Sequence, residues 1–161
     1  MNPSINFSAN IGFLWPELPL IDRIHAASNA GFHFVECHFP YDTPADDVRQ
    51  ALQDTGVKML CLNTTLGANG QEDFGVAARV GRESEAQDCI DEALAYAATV
   101  GSPNINVVPG KTGRGEPDSG EIDYPWLLKK FATLGWRGCV GAEYQPRTTT
   151  EAGLGWMSAY S

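Results

Sequence analysis

Apolar residues along this chain alternate between strand-like runs and helical spacing. Ile5 to Ala9 is a short strand-like run, followed by Leu20, Ile21, Ile24 and Ala27 at the spacing of one helix face, with Gly31 as a stop. Phe32 to Phe39 predicts a second strand. Pro44 marks the start of a helix running to about Asp54, which Thr55-Gly56 ends. Val57 to Leu62 is almost wholly apolar, as a strand covered on both faces should be. The loop from Asn63 to Arg82 is rich in Gly, Asn and Asp, and loops of that length are often functional. Ala86, Cys89, Ile90, Ala93, Leu94 and Ala97 then mark one apolar helix face, Gly101 closes it, and Asn104 to Val108 is a fourth strand. This βα rhythm implies a parallel sheet with right-handed crossovers.

After Val108 the rhythm breaks. Pro109 to Glu121 has no apolar periodicity. A helix is expected over Pro125 to Leu134, a strand over Cys139 to Ala142, and a short helix over Thr150 to Met157. The expectation is one α/β domain over residues 1–161 with about five parallel strands and surrounding helices. A closed (β/α)8 barrel takes about 250 residues, so as a barrel this chain is incomplete.

Composition narrows the function classes. With 161 residues, 43% of them hydrophobic, the chain can build a real core and is not disordered. Its 20 acidic residues against 11 basic ones, a net charge of −9, argue against a nucleic-acid backbone as partner. No apolar run approaches the roughly 20 residues of a membrane helix, and Met1-Asn2-Pro3-Ser4 lacks the basic and apolar regions of a signal peptide. A cytoplasmic protein is expected. Cys37, Cys61, Cys89 and Cys139 form no CxxC pair and read as buried free thiols.

The candidate chemistry sits at predicted strand ends. Glu143 follows Cys139-Val140-Gly141-Ala142 where a loop begins, the position of a general base or metal ligand in a barrel. Glu36 closes the second strand; the bland alternative is an ion pair at the core edge. Asn10 and Asn63 end the first and third strands and suit a substrate hydroxyl, although both are also common turn residues. Arg114 can grip a carboxylate bidentately, with Glu116 beside it, or both are solvated loop charges. His25, His33 and His38 show no HxH or HExxH spacing and are not assigned as ligands. Gly110-Lys111-Thr112 lacks the leading Gly of a phosphate loop and is rejected as one.

Several stretches together resemble the hydroxypyruvate isomerase family of xylose-isomerase-like (β/α)8 barrels. They include Phe7-Ser8-Ala9-Asn10, Val35-Glu36, Phe39-Pro40-Tyr41, Leu62-Asn63-Thr64, and Asp73-Phe74-Gly75 through Gly81-Arg82-Glu83. The helix Asp91 to Ala97 continues the match. Gly113-Arg114-Gly115-Glu116-Pro117-Asp118 and Val140-Gly141-Ala142-Glu143-Tyr144 are its most specific parts. Residues 1–110 resemble the first four barrel strands, and residues 113–161 resemble the segment from after the seventh strand through the eighth strand to the C-terminus. The resemblance therefore carries an apparent internal deletion near Pro109 to Arg114.

The resemblance implies an isomerase that interconverts hydroxypyruvate and tartronate semialdehyde, or a related 2-keto sugar acid, through an enediolate. It implies a pair of proton-transferring glutamates, of which only the eighth-strand member, Glu143, has a counterpart here. It further implies a Mg or Mn ion with Glu143 among its ligands, a site this chain does not complete. Open parallel sheet edges invite pairing with a second copy. The competing expectation is a truncated, inactive form acting as an interaction or regulatory module.

Overall fold

The computed structural model describes residues 8–110 together with Lys130 and Thr133. Over residues 8–110 four strands and three helices alternate strictly: β1 (Ser8–Asn10), α1 (Leu20–Asn29), β2 (Phe34–Cys37), α2 (Ala45–Thr55), β3 (Lys58–Asn63), α3 (Glu83–Val100) and β4 (Asn104–Asn106). The strands form one parallel sheet in the order β1-β2-β3-β4.

That order decides the architecture. A doubly wound sheet reverses its strand order at a switch point and places helices on both faces. Here the order never reverses, and α1 packs on α2 and α2 on α3. All three helices thus line one side of the sheet, as in the wall of a (β/α)8 barrel. The expected fifth strand, over Cys139 to Ala142, lies outside the described residues.

The alternation of burial assigns the two faces. Ala9, Val35, Cys37, Met59, Leu62 and Ile105 are buried and join Ile24, Val48, Leu52, Ala93 and Ala97 from the helices in one core. Burying a large aliphatic side chain such as Leu62 or Ile24 contributes about 1.5–3 kcal/mol. The intervening strand residues Asn10, Glu36, Cys61, Asn63, Asn104 and Asn106 are half-buried and face the other way. At β2–β3 the register shifts between Val35 and Glu36, so that Glu36 lies opposite Cys61 rather than Leu60.

Helix limits follow the predicted signals closely. Pro44 stands at the N-cap of α2, with Gly56 in the left-handed conformation at its C-cap. The strands are shorter than the apolar runs suggested. Phe32, His33, His38 and Phe39 fall outside β2, and β4 stops at Asn106. Apolar character extends past the ladder because Val108 is buried under the β3–α3 loop, its N–H donating to Thr64 Oγ1 over 3.0 Å. Cys37 and Cys89 are buried free thiols, whereas Cys61 is only half-buried on the inner face. Beyond residue 110, Lys130 and Thr133 are helical, inside the helix expected over Pro125 to Leu134. Lys130 Nζ lies 3.6 Å from the Asp91 carboxylate of α3. Among the described residues no helix is long and apolar enough to cross a membrane.

Candidate active site

Parallel strands that all point one way bring their carboxyl ends together, which is where barrel enzymes carry their chemistry. Asn10 ends β1, Glu36 is the penultimate residue of β2, Asn63 ends β3 and Asn106 ends β4. Register places Asn10 beside Glu36 and Asn63 beside Asn106. Three of the sequence-predicted site residues, Asn10, Glu36 and Asn63, thus share one polar wall on the inner face. Glu143, Arg114 and Glu116 lie outside the described residues.

Each asparagine is held by its backbone and by a neighbour. The Asn10 carboxamide accepts the Gly12 N–H at 3.0 Å, and its Nδ2 lies 3.2 Å from His38 Nε2. The His38 ring meets Phe13 edge-on at 4.5 Å and sits so close over Gly12 that a Cβ there would lie 2.5 Å from Nδ1. Asn63 donates nothing to Asn106; instead Asn106 Nδ2 donates to Asn63 Oδ1 at 3.0 Å. The Asn63 main chain is fixed twice, its N–H donating to the His38 carbonyl at 2.9 Å and its carbonyl accepting the Tyr41 hydroxyl. Glu36 makes no side-chain hydrogen bond or ion pair with another described residue.

Behind this wall lie the buried Tyr96 phenol and Cys37 thiol, with the half-buried Tyr41 beside them. Tyr96 of α3 donates to the carbonyls of Thr43 at 2.9 Å and Pro40 at 3.2 Å, and its ring meets Tyr41 at 5.4 Å. Burial pushes both phenols above the ordinary tyrosine range, so they act as fixed hydrogen-bond donors rather than bases. Burial likewise pushes the Cys37 thiol up to about 12, with Cys61 adding to the shift.

The long β3–α3 loop is tied shut by charges. Buried Asp73 accepts from Arg82, from Asn69 Nδ2 at 3.0 Å, and faces Arg79 at 3.5 Å. Arg82 also forks onto Glu85 at 2.6 and 2.7 Å, and Glu85 accepts the Ala68 N–H at 2.7 Å. The Arg82 guanidinium holds both the Asp73 and Glu85 carboxyls below their ordinary values. These contacts tie the loop to itself and to the first turn of α3. The loop, whose length marks it as one of a kind that is often functional, has an ion-paired build.

Two wall residues escaped the sequence reading. Asn106 was overlooked although the alternation Asn104-Ile105-Asn106 places both amides on the face opposite the core. His38 was set aside for lack of metal-ligand spacing, yet its role here is a contact with Asn10, which only the adjacency of β1 and β2 creates. Metal-binding was a separate expectation. No group of three His, Cys, Asp or Glu side chains that could hold an ion occurs among the described residues. A hard divalent cation takes six or more oxygen ligands, so this wall, with one carboxylate, does not fit one by its own residues.

Comparison with known proteins agrees with this fold. A family model described as xylose isomerase-like TIM barrel matches residues 24–119. The chain is 24% identical to a 2-oxo-tetronate isomerase of Haemophilus influenzae over 254 positions, covering 96% of this chain and 98% of the relative. It is also 24% identical to a hydroxypyruvate isomerase of Escherichia coli over 256 positions, covering 97% and 99%. Both alignments run over far more positions than the 161 residues of this chain, so a large stretch of each relative faces none of its residues. Among solved structures, one described as an AP endonuclease of family 2 from Brucella melitensis superposes with a TM-score of 0.64 at 23% identity, covering 98% of this chain and 99% of the other. An L-ribulose 3-epimerase superposes with a TM-score of 0.67 at 16% identity, covering 96% and 57%. At these identities the structural matches speak for the fold alone.

Proposed function

The chain belongs to the xylose isomerase-like TIM barrel family, and from that premise we propose that it is a keto-acid isomerase. Its reaction interconverts hydroxypyruvate and tartronate semialdehyde, or a related 2-keto sugar acid, in the cytoplasm. The observation that carries the reading is the alignment of Asn10, Glu36, Asn63 and Asn106 at the carboxyl ends of consecutive parallel strands. Relatives named as hydroxypyruvate and 2-oxo-tetronate isomerases support the keto-acid class.

The chemistry asks for little beyond a base and polar partners. A base removes a proton from the hydroxyl-bearing carbon next to the keto group, and the electron pair moves into an enediolate. Reprotonation at the neighbouring carbon, with transfer of a hydroxyl proton between the two oxygens, gives the aldehyde. The base must sit within hydrogen-bond reach of the proton it takes. In this proposal Glu143 is that carboxylate, Arg114 and Glu116 contact the substrate, and Glu36, Asn10 and Asn63 hold its oxygens. A Mg or Mn ion would draw its ligands from beyond the described wall, Glu143 among them, and would stabilise the oxyanion.

A second reading, an inactive module that interacts with other proteins or with its own copies, is supported by the excess of alignment positions over residues. That excess accords with loss of the strand carrying the second proton-transferring glutamate. Purified protein offered hydroxypyruvate, with and without Mg²⁺ or Mn²⁺, separates the two. Turnover that Glu143→Gln abolishes supports the isomerase. No turnover, together with no metal-dependent rise in melting temperature, sinks it. Size-exclusion chromatography tests strand replacement between copies, which a monomer would rule out.

A further inference from the structure

We infer that His38 is the positioning residue of this site: a neutral imidazole, with its proton on Nδ1, that locks the Asn10 carboxamide and leaves one Asn10 N–H for the substrate. The inference rests on the isomerase reading for what Asn10 holds, and goes further by assigning its support and the tautomer that this support requires. A backbone N–H can only donate, so the Gly12 N–H, 3.0 Å from the Asn10 side chain, marks the atom it meets as the oxygen. The other carboxamide atom, 3.2 Å from His38 Nε2, is therefore the amide nitrogen, which also can only donate. His38 Nε2 must then accept, and the ring proton sits on Nδ1. The opposite tautomer, and equally the imidazolium, would set one donor against another across this contact.

The ring has a tight seat. A Cβ on Gly12 would lie 2.5 Å from Nδ1, 2.7 Å from Cγ and 2.8 Å from Cε1, so glycine is what lets the imidazole close over the backbone. Phe13 meets the ring edge-on at 4.5 Å, and Phe39 lies at 5.9 Å. With Nε2 on Asn10 and Nδ1 against Gly12, His38 acts through Asn10 rather than as an acid or base of its own. Asn10 in turn has its oxygen held by Gly12 and one N–H held by His38. It retains a second N–H of fixed direction, bonded to no other described residue, on the inner face beside Glu36. A donor oriented in advance suits an oxygen that gains negative charge as the enediolate forms.

The test reads the tautomer in the full chain by nitrogen NMR of isotope-labelled histidine at pH 8, with His38→Gln identifying the signals. His38 should show a proton-bearing Nδ1 and a bare Nε2. Asn10→Asp should place a proton on Nε2, because a carboxylate only accepts. Gly12→Ala pushes the ring off its seat with no left-handed φ to strain, and should return it to the mixed tautomers of free imidazole. Retained melting transitions show that each variant is folded. In turnover of hydroxypyruvate, His38→Leu should lower kcat/KM about 10-fold, the scale of one well-placed hydrogen bond. His38→Gln, whose side-chain oxygen can replace Nε2 as acceptor, should recover most of that loss. A proton on Nε2 in the wild type, or a bare Nε2 in Asn10→Asp, would overturn the inference, as would equal losses in His38→Leu and His38→Gln. The Nδ1–H tautomer in a protein without turnover upholds the lock and refutes the isomerase reading alone.

Discussion

Gly75 offers the sharpest test of how the loops over the strand ends are held. Its φ is 107°, and a Cβ added there would sit 2.3 Å from the Val108 carbonyl oxygen, 2.7 Å from the carbonyl carbon and 2.8 Å from Gly110 N. These are backbone atoms, and the two segments are joined by an antiparallel bridge between Gly75 and Pro109 and by Ala78 N–H donating to the Pro109 carbonyl at 2.8 Å. Gly75→Ala therefore imposes two costs. Holding a residue with a Cβ at that φ takes about 1–3 kcal/mol, and the displacement of packed backbone takes about 1–3 kcal/mol more. The sum, about 2–6 kcal/mol, is a large share of the roughly 5–15 kcal/mol that holds a typical domain. Gly101 supplies the control, because its φ is also positive, at 73°, but a Cβ there meets nothing within 4 Å. Gly101→Ala should cost only the left-handed conformation, about 1–2 kcal/mol. Equilibrium urea unfolding reads both. With a slope of about 1–3 kcal/mol per molar urea, an excess of about 2 kcal/mol lowers the midpoint of Gly75→Ala by roughly 1 M relative to Gly101→Ala. Midpoints within about 0.2 M of each other would refute the close approach of the β3–α3 loop to the end of β4.

Other outcomes follow from the charges and buried groups. Asp73 and Glu85 have folded-state pKa values below their ordinary 3.8 and 4.5, so their contribution is present above that range and is lost as pH falls through the folded values. Melting temperature should drop as pH is lowered below about 4.5, and Asp73→Asn should melt lower than wild type at pH 7 with the gap narrowing as pH falls below 3.8; parallel curves would contradict the Arg82 clamp. Tyr96→Phe removes donors from the Thr43 and Pro40 carbonyls and should cost about 0.5–1.5 kcal/mol in urea unfolding, with no change expected at the neighbouring Tyr41–Asn63 contact. Cys37, pushed up to about 12 by burial, should resist alkylation at pH 8 in the folded protein and react on unfolding; mass spectrometry of labelled peptides reads this directly.

Much of the fold was legible because its signals are local. The helical spacing of Leu20, Ile24 and Ala27, the Pro44 entry and Gly56 exit of α2, and the long face from Ala86 to Ala97 all became helices close to the expected limits. Strand ends were less legible. Apolar runs continued past the ladders at Phe32 and Val108, since burial under a loop asks for the same residues as burial in a sheet. Asn10, Glu36 and Asn63 could be named as site residues because a polar side chain closing an apolar strand stands out in a linear string.

What the chain order alone determined, then, is a βα repeat with polar Asn10, Glu36 and Asn63 at or near the ends of its first three strands, because hydrophobic period and turn chemistry act over a few residues. Tertiary structure decided the rest. The unreversed strand order put the helices on one side, and the parallel pairing gathered the strand termini on one edge. It brought His38 to Asn10 and Asn106 to Asn63 across 28 and 43 residues of chain, and it turned the β3–α3 loop into an ion-paired strut. Such contacts depend on which strands become neighbours and in what register, and no local pattern of apolar and polar residues encodes that.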